Sequence, residues 1–289
     1  MMQRMMRGPG HEMERRHLRI GGRDLAYTDV GRGAPVVLIH GTLTTLEDMM
    51  WTLGEPLAER YRVIAFDRPG FGRSDVRRWT DAGIYRQAAS LLDAIATLDL
   101  HRPLLVGHSL GASIALAMAA EARDRIRGVV ALAPLVLPEF RLEPLLFGAR
   151  ALPVTGAMLS QAAHMTSDLA MLPVLWRAMF VPQTLPERIA QAYPFALADR
   201  ADALVRVGED ALAAGPDLVR LLATSRSCRV PVRILGGDRD AVVDNGRNGQ
   251  MLATLMLEAT YMNLPGLGHM IHHFACGEIL EAIETLPNL

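Results

Sequence analysis

The 289-residue chain contains no lysine; all 30 positions counted as Lys or Arg are arginine. Covalent catalysis through a Schiff base needs a lysine amine, so that chemistry is excluded. Cysteine is almost as scarce, with Cys228 and Cys276 far apart in the chain. Two such thiols make neither a disulfide framework nor a site with metal-ligand spacing, and they are expected to be reduced, in a cytoplasmic compartment. No stretch of ~20 apolar residues occurs, so no membrane span is expected. Residues 1–16 carry Met and Arg without the apolar centre of a signal peptide and read as a disordered N-terminal extension. The formal net charge is −1, with no basic stripe or arginine-rich run, so nothing points to nucleic acid as a partner.

What is present is apolar material, half of the chain, enough for one large core. Residues 18–20 and 25–29 flank Gly21-Gly22 and predict an antiparallel hairpin. Short apolar runs at 35–39, 61–66, 104–106, 128–132, 232–235 and 260–264 have the composition of strands buried on both faces. Stretches of helical composition lie among them, at 55–60, 85–98, 110–122, 246–258 and 278–285. That alternation predicts an α/β fold, a mostly parallel, doubly wound sheet. The pattern breaks from about 135 to 207, where Pro138, Pro144, Pro153, Pro173, Pro182, Pro186 and Pro194 cut the chain into short segments. A stretch this long without strands is expected to form a unit of its own. The organisation is therefore a core of residues 17–134 and 208–289 with an inserted helical cap at 135–207. Within it, Met158, Met165, Met171, Met179, Trp176, Phe180 and Phe195 either line an apolar pocket or pack the insertion's own small core.

Gly107-His108-Ser109-Leu110-Gly111 follows one apolar run and opens an Ala-rich helix. A Gly-x-Ser-x-Gly pattern is weak evidence alone, but between a buried strand and a helix it has the context that a nucleophile elbow requires. The turn is so sharp that no side chain fits on either flank, hence Gly107 and Gly111. The serine hydroxyl then stands at a helix N-terminus, whose dipole favours developing negative charge.

Four landmarks come in order: His40-Gly41 after a strand, Asp67-Arg68-Pro69-Gly70-Phe71-Gly72-Arg73-Ser74 after the next, the elbow, and Gly268-His269 near the end. In these the chain resembles the α/β-hydrolase superfamily from about residue 18 onward, least so in the insertion. A serine hydroxyl needs a base. Of nine histidines, His269 lies in a loop after a predicted strand, at the sheet edge where ligands bind in α/β folds, and the resemblance places the catalytic histidine there. His108 is expected to point away from the serine, and His40 to be structural. His272 and His273 follow closely, but no nearby carboxylate or cysteine completes a metal set, so neither a metal nor a cofactor is expected. The acid should follow the run at 232–235. The resemblance favours Asp240, three residues after Gly237 and just before Val242-Val243, over Asp238; Asp244 reads as a helix N-cap.

Acyl transfer needs donors aimed at an oxyanion. The backbone N–H of Leu110 is one expected donor, and that of Thr42, with Leu43 as alternative, is the other. Relatives that open epoxides or remove halides carry Asp at the elbow, and hydroxynitrile lyases use a lysine. The resemblance thus implies a serine hydrolase acting on a small to medium hydrophobic ester through an acyl-enzyme. C–C bond hydrolases, lactonases and perhydrolases share the triad, and non-catalytic ligand-binding proteins share the fold. Oligomeric state is not legible in the sequence.

Overall fold

The hairpin comes first because its turn is fixed by residue type: Gly21 and Gly22 sit at φ 55° and 84°, a pair of positive values that side-chain-bearing residues resist. The computed structural model describes residues 12–286. Its eight strands are β1 (Arg16–Ile20), β2 (Arg23–Gly31), β3 (Pro35–Ile39), β4 (Arg62–Phe66), β5 (Leu104–His108), β6 (Gly128–Leu132), β7 (Val232–Gly237) and β8 (Ala259–Leu264). They form one sheet in the order β1-β2-β4-β3-β5-β6-β7-β8. β1 and β2 pair antiparallel, as do β2 and β4, and every later pairing is parallel. β5 and β6 are buried along their whole length, as the apolar runs predict. β8 differs from the expectation: it is the sheet edge, so Thr260, Met262 and Asn263 are exposed and only Leu264 is fully buried.

Helices cover both faces. α1 (Leu46–Met49) and α2 (Glu55–Ala58), joined by a π-helical turn, and later α12 (Cys276–Glu284) serve one face. Their Met49, Leu53, Leu57, Ile279 and Ile283 pack on Val36, Leu38, Val63 and Val106 of the strands. α3 (Ile84–Thr97), α4 (Leu110–Glu121) and α11 (Asn245–Leu255) serve the other, around Val37, Ile39, Leu105 and Val129.

Between β6 and β7 lie α5 (Glu143–Phe147), α6 (Gly156–His164), α7 (Asp168–Phe180), α8 (Glu187–Ala192), α9 (Phe195–Ala198) and the long α10 (Ala201–Ser225). Two expectations are corrected here. Pro173 does not end a segment but lies inside α7; it leaves the carbonyl of Leu169 without its intrahelical donor, and Leu169 is on the exposed side. The boundary placed at 207/208 falls in the middle of α10. This helix packs Leu204 and Val207 against the inserted helices and Leu218 and Leu221 into the main core.

Residues 1–11 of the predicted extension lie outside the described residues, but within 12–16 Met13 and Arg15 are held against the core while Glu12, Glu14 and Arg16 are exposed. Met13 is buried, and Arg15 reaches Glu47 at 2.8 Å and Asp67 at 2.6 Å. Two carboxylates inside the protein need a counter-charge, and a forked guanidinium serves both at once.

Among the inserted aromatics, Trp176 and Phe180 are buried with Ile189, Tyr193 and Met270. Phe195 and Met179 pack on this cluster and Met171 on a neighbouring one, whereas Met158 and Met165 are exposed. A cavity of about 300 Å³ opens beside Pro173, Trp176, Phe195 and Asp199. Burial pushes the Asp199 carboxyl up to about 6, partly opposed by the hydrogen bond from Trp176 Nε1. A carboxyl raised in the folded state makes folding less favourable as pH rises between its unfolded and folded values. Asp199→Asn should therefore flatten the fall in Tm from about pH 4 to pH 6, and thermal melts across that range check it.

Candidate active site

β5 delivers Ser109 at φ 54°, ψ −121°, immediately before α4. Its N–H donates to the carbonyl of Leu132 on β6 at 2.8 Å, and its carbonyl accepts from Ala112 and Ser113. The flanking glycines are dictated by contact: a Cβ at Gly107 would stand 2.4 Å from the carbonyl oxygen of Gly111, and one at Gly111 2.3 Å from that of Ile39. Leu110 is the first residue of α4, so its N–H has no acceptor within the helix. The turn after β3 runs alongside, since a Cβ at Gly41 would lie 3.4 Å from that of Ser109. Thr42 is half-buried there. Leu43, at φ 61°, buries its side chain against Phe71, Phe147 and Leu204.

At the end of β7, Asp240 Oδ1 accepts from the N–H groups of Val242 (2.7 Å) and Val243 (2.9 Å). Its Oδ2 lies 2.7 Å from His269 Nδ1, with both side chains almost wholly buried. Burial alone would raise the Asp240 carboxyl, but His269 and the two backbone donors hold it below the usual range. Asp238 is exposed and accepts from the N–H of Gly266 at 2.7 Å, so it shapes the loop rather than touching the imidazole. Asp244 caps α11 by accepting from the N–H of Arg247. His269, like Ser109, is 3% exposed.

His108 and His40 are structural links. His108 Nε2 donates to the backbone carbonyl of His269 at 3.0 Å, so the residue beside the serine ties the elbow to the His269 loop. His40 is fully buried and bridges the turn: Nδ1 donates to the carbonyl of Gly41, and Nε2 accepts from the N–H of Arg68. Burial and the neighbouring Arg68 hold its imidazole well below the ordinary value, which keeps it neutral. Arg68 donates to the same Gly41 carbonyl at 2.8 Å, to Gln87 at 2.7 Å and to Asp210 on α10 at 3.3 Å. Burial lowers its guanidinium to about 10, still charged at neutral pH.

Three contributors have no local signature in the sequence. Gln183, after α7, donates to the Gly266 carbonyl at 2.7 Å and accepts from the Gly268 N–H at 2.9 Å, clamping the His269 loop. Tyr193 accepts from the N–H of Thr45 at 2.8 Å. Asp48, on α1, brings a carboxylate to the histidine cluster that the nearby sequence lacks: Oδ1 accepts from His273 Nε2 at 2.9 Å, and Oδ2 lies 3.1 Å from His272 Nε2. Burial would raise its carboxyl, but the two histidines hold it well below the ordinary range.

The family model described as alpha/beta hydrolase fold matches residues 34–275. Over 265 residues the chain is 27% identical to the dihydrolipoyllysine-residue acetyltransferase component of the acetoin cleaving system of Pseudomonas putida, a match covering 90% of this chain and 65% of that protein. Over 113 residues it is 35% identical to a 2-hydroxy-6-oxo-2,4-heptadienoate hydrolase of Pseudomonas putida, covering 38% of this chain and 41% of that enzyme. The chain thus spans less than two thirds of the length of either relative. Among solved structures, it is similar to an alpha/beta hydrolase fold protein from Burkholderia ambifaria, with a TM-score of 0.76, 20% identity, and 93% and 96% of the two chains covered. At that identity the likeness speaks to the fold alone.

The elbow's close contacts carry a stability cost when filled. Gly111→Ala would drive its methyl into the β3 backbone at Ile39 and His40. It should cost about 2–3 kcal/mol and lower Tm by roughly 5–10 °C, as thermal unfolding would show.

Proposed function

From the premise that the chain belongs to the α/β-hydrolase family, we propose that it hydrolyses a small to medium hydrophobic carboxylic ester through an acyl-enzyme on Ser109. The observation that carries this reading is the buried 2.7 Å contact between Asp240 and His269, on a loop bonded through His108 to the strained elbow of Ser109. Nδ1 faces the carboxylate, so Nε2 is the nitrogen left to take a proton. The Ser109 hydroxyl attacks the ester carbonyl carbon as its proton passes to His269 Nε2. The backbone N–H groups of Leu110 and Thr42 stabilise the oxyanion. The alkoxide then departs with the proton from Nε2. Water repeats the sequence on the acyl group, releasing the acid and regenerating the serine. Asp240 keeps the imidazole in the productive tautomer and offsets its positive charge in both half-reactions.

The inserted helices serve in this reading as a cap that excludes water and selects substrate, since Gln183 touches the loop of the base and Leu43 sits against α10. Support for a C–C bond hydrolase as second reading comes from the 35% identity with the heptadienoate hydrolase over its matched stretch.

Labelling by a fluorophosphonate, followed by turnover of p-nitrophenyl esters of increasing chain length, tests the assignment. Ser109→Ala should abolish labelling and lower kcat by ~10⁴-fold or more. Asp240→Asn should lose about 10⁴-fold in kcat, and Asp238→Asn should stay within a few-fold of the parent. Turnover that survives in Ser109→Ala would exclude the acyl-enzyme. Tight binding of apolar ligands without turnover of any ester would favour a binding protein on the same fold.

A further inference from the structure

We propose that Asp48, His108 and His272 form a buried site for one divalent first-row transition-metal ion, which braces the loop of His269 against the elbow. The three residues come from separate parts of the chain: α1, the end of β5, and the helical turn Ile271–His273. One ligand atom from each lies within 4.8 Å of the other two. All three residues are at most 2% exposed.

The pair formed by His272 and Asp48 carries the inference. His272 Nε2 and Asp48 Oδ2 face each other at 3.1 Å, yet neither atom makes a hydrogen bond of acceptable geometry. A nitrogen and an oxygen sharing an ion stand in that relation. Metal–ligand bonds of about 2.0–2.2 Å at tetrahedral or octahedral angles put neighbouring ligand atoms roughly 3.0–3.5 Å apart. Among the described residues neither atom has a hydrogen-bond partner. His272 Nδ1 and His108 Nδ1 are likewise buried without hydrogen bonds, an arrangement native interiors rarely tolerate unless an ion or water completes it.

The surroundings are those of an outer coordination sphere. Asp48 Oδ1 is held by His273 Nε2 at 2.9 Å, and His108 donates its Nε2 proton to the His269 carbonyl at 3.0 Å. Ligating carboxylates and imidazoles are commonly oriented by such contacts. Two imidazoles with one carboxylate suit zinc, cobalt, nickel or ferrous iron better than calcium or magnesium, which prefer all-oxygen sets. With ligands this deeply buried, the ion's role is structural: it neutralises Asp48 and joins three segments that meet behind the serine and its base.

The untagged full chain, stripped with a chelator and dialysed against Zn²⁺ or Co²⁺, should bind one equivalent per chain. Co²⁺ should show ligand-field bands of a site with nitrogen ligands. Zn²⁺ should raise Tm by roughly 5 °C at a hundredfold excess over Kd. Asp48→Asn and His272→Gln, checked for folding by circular dichroism, should lose the equivalent, whereas His101→Gln, an exposed histidine, should keep it. Absence of stoichiometric binding of zinc, cobalt, nickel or ferrous iron overturns the proposal, as does binding that persists in both folded variants. If the variants do not fold, X-ray absorption at the metal edge of the loaded parent decides: two imidazoles per ion support the site, and a shell without them excludes it.

Discussion

The backbone of Ser109, a residue with a side chain held at φ 54°, ψ −121°, is the constraint from which the rest of the site follows. Such a backbone costs on the order of 1–3 kcal/mol at a residue other than glycine and persists only where its surroundings over-determine it. Ser109 is held from both sides: its N–H by Leu132 on β6, its carbonyl by the first turn of α4. The close approach of α4 to β3 then forbids a Cβ at Gly111, and the close approach of Gly111 to β5 forbids one at Gly107. Neighbouring strands of the parallel sheet thus clamp one residue into a conformation it would not choose, leaving its hydroxyl at a helix N-terminus beside the turn of Gly41. Asp240 and His269 arrive on loops from β7 and β8 at the same edge because parallel strands end their loops on one side.

Behind that edge lies a run of buried charge in which arginine does what lysine cannot. Arg15 spans Glu47 and Asp67, while Arg68 spans the Gly41 carbonyl, Gln87 and Asp210. Arg206 spans the Asp81 carbonyl, Glu209 and Asp210. Each of these guanidiniums serves several acceptors, which its five donors reach in a fixed planar geometry, whereas a compact ammonium offers three donors from a single atom. Burying so many charges costs desolvation that their mutual attraction only partly offsets, and removing one partner would leave the other charge buried and unpaired. Its endpoint at Gly41 ties the ion-pair scaffold to the turn beside Ser109: the carbonyl held by Arg68 and His40 belongs to the peptide whose N–H is that of Thr42, the oxyanion donor of the proposed reaction.

Much of this was legible in the sequence, for reasons that are local. The eight strands are apolar runs or a hairpin around Gly21-Gly22, and the elbow announces itself through two glycines at fixed spacing. Asp240 and Asp238 are two residues apart, and only the fold shows which reaches His269 Nδ1 and which turns to the N–H of Gly266. What was not legible depends on contacts distant in the chain. Residues 12–16 look like a polar tail until Glu47 and Asp67 are seen to need Arg15. β8 has the composition of an inner strand and lies at the edge. Asp48 meets the histidines of the His269 loop across more than 200 residues. Gln183 and Tyr193 act by where tertiary packing sets the inserted helices, which no periodicity encodes.

The placement of α10 changes what the insertion can be. A cap ending at residue 207 would be a separable lid on a hinge. Instead one continuous helix begins among the inserted helices, carries Arg206, Glu209 and Asp210 at its middle, and ends with Leu218 and Leu221 in the main core. Swinging it away would strip the counter-charge from Arg68 and expose core leucines together, and breaking a buried pair on one side alone costs several kcal/mol. The helices before it are fastened differently: Gln183 makes two neutral hydrogen bonds to the His269 loop and Tyr193 accepts from Thr45 in the turn after β3, each bond worth about 1 kcal/mol, while Trp176, Phe180 and Ile189 pack against Met270. The insertion is therefore attached in two ways, by buried charge where it meets the Gly41 turn and by neutral hydrogen bonds and apolar packing where it meets the His269 loop.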